Sequence, residues 1–386
     1  MKSRIFLFLF TIFLLSNIYC CSNNTSTTNL EDNSNSTPIP EEYLDNGIFS
    51  KYYDDAYKKL IKMPLEEKVG QLILAKCPTG NEINEISKYN FGGFVLFSED
   101  IDNKTRSELK KNINIFQSSS KIPMLIAVDE EGGTVVRVSS NPNIRSTIFN
   151  SPQKIYYYYG MDGIISDTIE KDKLLKSLGI NMNLAPVADV STNSNNYIYK
   201  RSFGKSAQDT SEFVKNVVEA SKKEKIASVL KHFPGYGNNI DTHNEIAIDY
   251  RPYSTFLNSD FLPFQAGISA GVECILVSHI IVNVIDKDTP SSLSKITHDI
   301  LRNDLGFTGV IITDDLSMGA ITNYNSDINP AIKAIQAGND LLIVSNYAEA
   351  YDSILNGVKN GDISEDLIDR AVLRILSLKY SLGIMK

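Results

Sequence analysis

Eight short apolar runs rich in β-prone residues recur along the chain: Val69 to Ala75, Phe91 to Phe97, Met124 to Val128, Ile180 to Val187, Ile226 to Leu230, Cys274 to Val277, Gly309 to Thr313 and Leu341 to Val344. Between most of them lie stretches with helical patterning, at Asn103 to Ser119, Ile164 to Leu178, Ser211 to Lys225, Phe261 to Ala270 and Ile328 to Ala337. Runs that are apolar on both faces suit strands covered on both sides, and parallel strands need long crossovers between them. Eight such strands favour closure over an open doubly wound sheet. The pattern therefore predicts an α/β chain folded as a single (β/α)8 TIM barrel, and 42% hydrophobic residues suffice for a core of that size.

Polar residues cluster where these runs end. Asp129 and Glu130 follow the third run, Asp189 and Arg201 the fourth, Lys231 and His232 the fifth, His279 the sixth, and Asp314 and Asp315 the seventh. In a closed parallel barrel the carboxyl ends of all strands open on one face, where barrel enzymes keep their active sites. Any one of these residues read alone is a cap or a loop residue. Titratable groups at the same end of five strands point instead to a single site.

The densest stretch is VLKHFPGYGNNIDTH, Val229 to His243. An apolar strand gives way to Lys231-His232, and Pro234, Gly235 and Gly237 then exclude regular structure. Asp241 stands two residues before His243, close enough for its carboxylate to accept a hydrogen bond from the imidazole and tune it as a proton donor and acceptor.

The amino-terminal segment reads as an export signal. A basic head, Met1 to Arg4, precedes the largely apolar Ile5 to Leu15, which is well short of the ~20 residues of a spanning helix. Cys20-Cys21 just beyond it resembles a bacterial lipoprotein processing site, with Cys21 as the lipidated residue and plain secretion as the alternative. Residues 1–21 are thus assigned to a signal, 22–45 to a polar linker and 46–386 to the catalytic domain. Ser22 to Thr37 is almost entirely Ser, Asn, Thr, Asp and Glu, a composition that cannot bury enough apolar surface to order itself. The only membrane contact expected is this lipid anchor, and the expected state is a monomer.

A net charge of −8 without a clustered basic patch disfavours nucleic acid as a partner. Of four cysteines, Cys77 and Cys274 lie outside the signal, and neither has a neighbour at metal-ligand spacing. No metal and no cofactor is expected. Tyr156 to Tyr159 reads as a helix-surface run, His279 as either a pocket or a core residue, and His298 as a surface residue.

The set VDEEGG (Val128 to Gly133), LAPVADV (Leu184 to Val190), RSFG (Arg201 to Gly204), KHFPGYGNNIDTH and GVIITDDLSMGAI (Gly309 to Ile321) resembles glycoside hydrolase family 3, and within it the bacterial β-N-acetylglucosaminidases. The likeness runs from Met63 to Lys386 in the family's order, and it implies the single-barrel branch, without the second domain of many members. It further implies a carbohydrate substrate, Asp314 as the nucleophile that forms a covalent glycosyl intermediate, and His243, oriented by Asp241, as general acid and base. Asp129, Arg201, Lys231 and His232 match positions that hold sugar hydroxyls, Arg137 matches a further arginine near the site, and Asp315 is assigned a supporting role. Thr134 and Tyr236 depart from the Arg and His of many members, and the loop Gly235 to Asp241 is one residue shorter than in the best-known ones.

Other readings stay open at this level: a different family 3 β-glycosidase or a phosphorylase, a metal-dependent amidohydrolase barrel, or a non-enzymatic solute-binding lipoprotein. The amidohydrolase chemistry expects His-x-His on the first strand, where this chain has Leu72-Ile73-Leu74-Ala75.

Overall fold

The computed structural model describes residues 38–243, 245–324, 327 and 329–386. The stretch read as an export signal, Cys21 and residues 22–37 of the expected linker therefore lie outside the described residues, as does Ile328 at the expected start of one helix. Residues Ile39–Lys386 form one compact unit. It begins inside the stretch read as linker because Ile39 and Tyr43 pack against the core.

Eight parallel strands build the barrel: β1 Ile73–Lys76, β2 Gly93–Leu96, β3 Leu125–Val128, β4 Met182–Asn183, β5 Ala227–Phe233, β6 Cys274–Val277, β7 Val310–Thr313 and β8 Leu342–Val344. Seven pairings join them in the order β8-β1-β2-β3-β4-β5-β6-β7. A parallel bridge between Ile312 and Leu341, with Thr313 N–H donating to the Leu341 carbonyl at 3.1 Å, brings the two ends together. A short second ladder pairs Ile248–Asp249 with Ile281–Val282 outside the barrel. Residues of β2, β3, β6 and β7 are buried without exception, as expected of strands covered by the barrel interior on one face and by helices on the other. Among the described residues no helix is long and apolar enough to cross a membrane.

Element boundaries move for local reasons. The first strand starts at Ile73 rather than Val69, because Leu65–Gln71 follows Pro64 as a helix. The fourth shrinks to two residues because Pro186 has no N–H for the ladder, although a bridge still joins Val187 to Lys231. The helix expected from Asn103 starts at Arg106, where the Thr105 hydroxyl and the Glu108 carboxylate cap each other's backbone N–H groups. Ser151 and Pro152 begin the next helix, Pro152–Leu178, twelve residues before Ile164, and it turns at Gly160, whose φ of 61° suits glycine. Its first turns carry Tyr157, Tyr158 and Tyr159 on the surface, while Tyr156 packs edge-on against Phe203.

Two histidines outside the candidate site are structural. His298, expected at the surface, is 1% exposed: its Nδ1–H donates to the Ser294 carbonyl at 2.8 Å, one turn back in the helix Lys295–Asp299 and its cap. His279 is fully buried beneath the seventh strand end. Its Nε2–H donates to the Asp315 carbonyl at 2.9 Å and its Nδ1 accepts from the Ser292 hydroxyl at 2.7 Å. Burial pushes its pKa down, against the opposing pull of the nearby Asp314 carboxylate.

Candidate active site

At the carboxyl ends of the strands lies a hollow of about 420 Å³, within the ~300–1,000 Å³ of small-molecule sites. Asp129, Arg137, Arg201, Lys231, His232, His243 and Asp314 all line it. Asp241, the remaining residue singled out in the sequence, holds His243 from behind.

The fifth strand delivers the floor. It runs through Lys231 and His232 to Phe233, three residues farther than the apolar run indicates, with an irregular register between Leu230 and Phe233. Outward from the barrel, Phe233 packs on Phe261 and Phe264 of the helix Phe261–Ala270, which fixes the strand end. Lys231 turns inward, 3% exposed, and its Nζ meets Asp129 Oδ1 and Glu131 Oε1, each at 2.6 Å. Arg201 completes the cluster by placing Nε and a terminal NH2 on the two oxygens of Glu131, at 3.1 and 2.8 Å. Two cations and two carboxylates thus balance in a desolvated corner. Burial would raise the Glu131 carboxyl, but Lys231 and Arg201 outweigh it and hold it down to about 2. Burial likewise opposes the charge on Lys231, and Asp129 and Glu131 more than offset that, so the ammonium persists.

His232 is oriented by Asp189, which the sequence places at a strand end without revealing its task. Asp189 Oδ2 takes the ring Nδ1–H at 2.7 Å and the His232 backbone N–H at 3.1 Å. With that hydrogen on Nδ1, Nε2 is left to accept from Arg201 at 3.3 Å. Glu130 works on the loop behind Asp129: Oε2 receives the backbone N–H of Arg137 at 2.9 Å and of Val138 at 2.6 Å, and the Ser139 hydroxyl closes on Oε1. Arg137 is thereby brought to the rim.

Asp314 sits directly after β7, its backbone N–H on the Val277 carbonyl at 3.2 Å and its Oδ1 accepting from the Asp315 N–H at 2.9 Å. Burial would raise its pKa. The imidazoles of His279 and His232, the Asp315 amide and Lys231 together pull it below the ordinary aspartate value, which keeps an ionised carboxylate facing the hollow. Asp315, as strand alternation implies, turns aside: its oxygens hold the Ser317 amide and hydroxyl and the Ser345 hydroxyl, the last at 2.6 Å.

The segment after β5 carries Asp241 and His243. Glycine is required at its base, since Gly237 has φ of 61° and a Cβ there would sit 2.6 Å from the Arg251 guanidinium carbon. Asp241 Oδ1 lies 2.5 Å from His243 Nδ1 and 3.0 Å from its backbone N–H. Nε2 is then the nitrogen available for proton exchange. The His243 side chain is 60% exposed. Its backbone carbonyl accepts from Gly319 N–H at 2.8 Å, and that of Thr242 from Ala320 N–H at 3.2 Å, so the segment docks on the residues that follow Asp314 and Asp315.

Glu131 and Tyr197 were missed in the sequence. Two buried cations facing a single Asp should have signalled a further carboxylate, because unpaired buried charge is prohibitively costly. Tyr197 opens the short helical turn Tyr197–Lys200 just before Arg201, stands beside Asp241 and Arg201, and lines the hollow. Among the described residues no group of three or more His, Cys, Asp or Glu is arranged to hold a metal ion.

The model of the glycosyl hydrolase family 3 N terminal domain matches residues 64–378. The chain belongs to glycosyl hydrolase family 3. A beta-hexosaminidase of Nitrosomonas eutropha is 32% identical over 274 residues, 69% of this chain and 77% of that protein. Among solved family 3 structures, a beta-N-acetylglucosaminidase from Paenibacillus sp. is 28% identical with a TM-score of 0.78. That match covers 83% of this chain and 63% of the Paenibacillus chain. The beta-N-acetylhexosaminidase of Beutenbergia cavernae, 24% identical, shares the fold with a TM-score of 0.73 over 83% of this chain and 99% of its own. This family 3 barrel thus resembles both longer relatives and one of single-barrel length.

Proposed function

We propose that this protein is a retaining, exo-acting β-N-acetylglucosaminidase that removes terminal β-linked N-acetylglucosamine from glycans. The observation that carries the reading is that Asp314 and His243 line one hollow, with the Asp129–Lys231–Glu131–Arg201 cluster and His232 beside them. The names of the beta-hexosaminidase and beta-N-acetylglucosaminidase relatives support the substrate class.

In the first step Asp314 attacks the anomeric carbon while the bond to the glycosidic oxygen breaks, and the departing oxygen takes the proton from Nε2 of His243. A glycosyl ester on Asp314 and neutral His243 result. Water then gives a proton to Nε2 and attacks the same carbon, releasing the sugar with retained configuration and restoring the Asp314 carboxylate. Asp241, held on Nδ1, leaves Nε2 as the nitrogen that exchanges the proton. Asp129 and the cations beside it would hold sugar hydroxyls, since carboxylate oxygens accept and Lys231 and Arg201 donate.

Comparing nitrophenyl N-acetylglucosaminide, N-acetylgalactosaminide and glucoside, with and without chelator and with and without phosphate, tests the proposal. The N-acetylglucosaminide is expected to be hydrolysed best, with chelator and phosphate making no difference. No turnover would favour a solute-binding role, loss with chelator a metalloenzyme, and sugar phosphate as product a phosphorylase. Export and anchoring through Cys21 belong to the same proposal. Replacing Cys21 by Ala should move activity from the membrane fraction to the soluble one, and an unchanged distribution would remove the anchor.

A further inference from the structure

Tyr236 connects the two halves of the site. Its hydroxyl accepts from the Thr242 backbone N–H at 3.1 Å, donates to the Ile240 carbonyl at 3.1 Å and lies 3.3 Å from the Thr242 hydroxyl. One phenol oxygen therefore grips the chain on both sides of Asp241. Through its own backbone N–H the same residue donates to Asp189 Oδ1 at 2.7 Å, and the other Asp189 oxygen orients His232. The ring is 3% exposed, with the Tyr197 ring at 5.6 Å and the His232 ring at 5.4 Å. Thr242 is 2% exposed, so its amide has no water to turn to if the phenol is lost.

The remainder of the loop could not do this alone. Asn239 and Arg251 secure its base, through Asn239 Nδ2 on the Tyr236 carbonyl at 2.9 Å and Arg251 across Asp249 and Asp260. At the far end only backbone carbonyls, those of Thr242 and His243, are held by Gly319 and Ala320. Between these anchors Asp241 and His243 project from a short stretch whose backbone the buried Tyr236 hydroxyl holds, while the exposed Tyr197 meets the Asp241 side chain.

We infer that Tyr236 is a positioning residue for proton transfer, its hydroxyl latching Ile240–Thr242 so that the Asp241–His243 pair stays over the hollow. The inference rests on the reading of His243 as general acid. A loop held this way presents Nε2 to the glycosidic oxygen without first paying to order the chain, and slackening it should slow the steps that need a proton more than those that do not.

Tyr236→Phe keeps the ring and removes the latch. The test compares kcat/KM, which reports the first bond-breaking step, for a dinitrophenyl N-acetylglucosaminide that departs unprotonated and an alkyl N-acetylglucosaminide that needs the proton. His243→Ala is measured beside it. The ratio of activated to unactivated substrate is expected to rise about tenfold in Tyr236→Phe, and further in His243→Ala. A wild-type ratio in Tyr236→Phe overturns the latch, whether both rates fall or neither does, because lost packing slows both substrates alike. If His243→Ala also keeps the wild-type ratio, the acid assignment itself has failed. Hydrogen exchange on the unaltered protein supplies a measure that needs no variant to fold: the Thr242 amide should exchange slowly, and exchange at the rate of an unstructured amide overturns the latch.

Discussion

Glu131 grips Arg201 as a fork, its two oxygens taking Nε at 3.1 Å and a terminal NH2 at 2.8 Å, while Oε1 also meets Lys231 at 2.6 Å. Seventy residues separate the pair in the chain; the Glu131 side chain is buried and that of Arg201 is only 15% exposed. Substituting Glu131→Gln leaves two buried cations facing one aspartate, Asp129. Chemical denaturation should show a loss of about 3 kcal/mol, and KM should rise as Lys231 and Arg201 lose their alignment. Acid sensitivity follows from the same pair. The folded carboxyl is held to about 2 and the unfolded one titrates near ~4.3, so its stabilisation is complete above ~4.3 and drains away as pH falls toward 2. The variant should lack that part of the acid transition.

Asp314→Ala should abolish turnover, lowering kcat/KM by a thousandfold or more (about 4 kcal/mol or more of transition-state stabilisation), while the thermal midpoint shifts by only a few degrees, as expected of a residue that holds few contacts of the fold. Activity within tenfold of wild type would dismiss Asp314 as the nucleophile. Mass spectrometry of protein quenched with a slow fluorinated substrate should find the sugar on the peptide containing Asp314 and not on Asp315, whose oxygens are committed to Ser317 and Ser345.

Asp241→Asn removes the charge beside His243 and can present an amide hydrogen where the imidazole needs an acceptor, upsetting the tautomer that leaves Nε2 available. A drop of about a hundredfold in kcat/KM for unactivated substrates is expected. Because the pair stands at the surface, the denaturation midpoint should hardly move, and a large stability loss would recast Asp241 as a structural residue.

Lys379 lies at the opposite end of the barrel, fully buried, with Nζ on Gln71 Oε1 at 2.6 Å and no carboxylate beside it. Burial pushes its pKa down to about 7, against ~10.4 for the unfolded chain. Between those values the unfolded state binds one more proton. Stability should therefore rise as pH goes from about 7 toward 10, by at most about 1.4 kcal/mol per pH unit from this group. In Lys379→Met that rise should be absent. A slope equal to wild type would show that the lysine is not desolvated.

Much of the fold was legible because burial on both faces leaves a plain mark. All eight apolar runs became barrel strands, and Phe261–Ala270 appears with the bounds expected from its pattern. Ends were harder wherever a local interaction overruled hydrophobicity, as at Pro186, at the Thr105–Glu108 cap and at Ser151-Pro152. The residues brought to the hollow were largely foreseen, since a parallel barrel gathers all strand ends on one side. Their partners were not: Glu131 looks no different in the sequence from Glu130, yet one binds two cations and the other folds the backbone of residues 137–139. His298 was misread for a like reason, because a lone histidine on a short helix carries no sign of what covers it.

Residue order by itself determined the strand count, the parallel arrangement and the end of the barrel where the polar strand ends gather, because alternation of apolar runs with helical stretches is a property of neighbours in the chain. Tertiary structure alone decided which charges neutralise one another and where the Asp241–His243 segment rests. Lys231 finds Asp129 across 102 residues, and His243 is docked through Gly319. Such contacts depend on the register in which a closed sheet sets one strand end beside the next, and register is settled by the packing of the whole barrel.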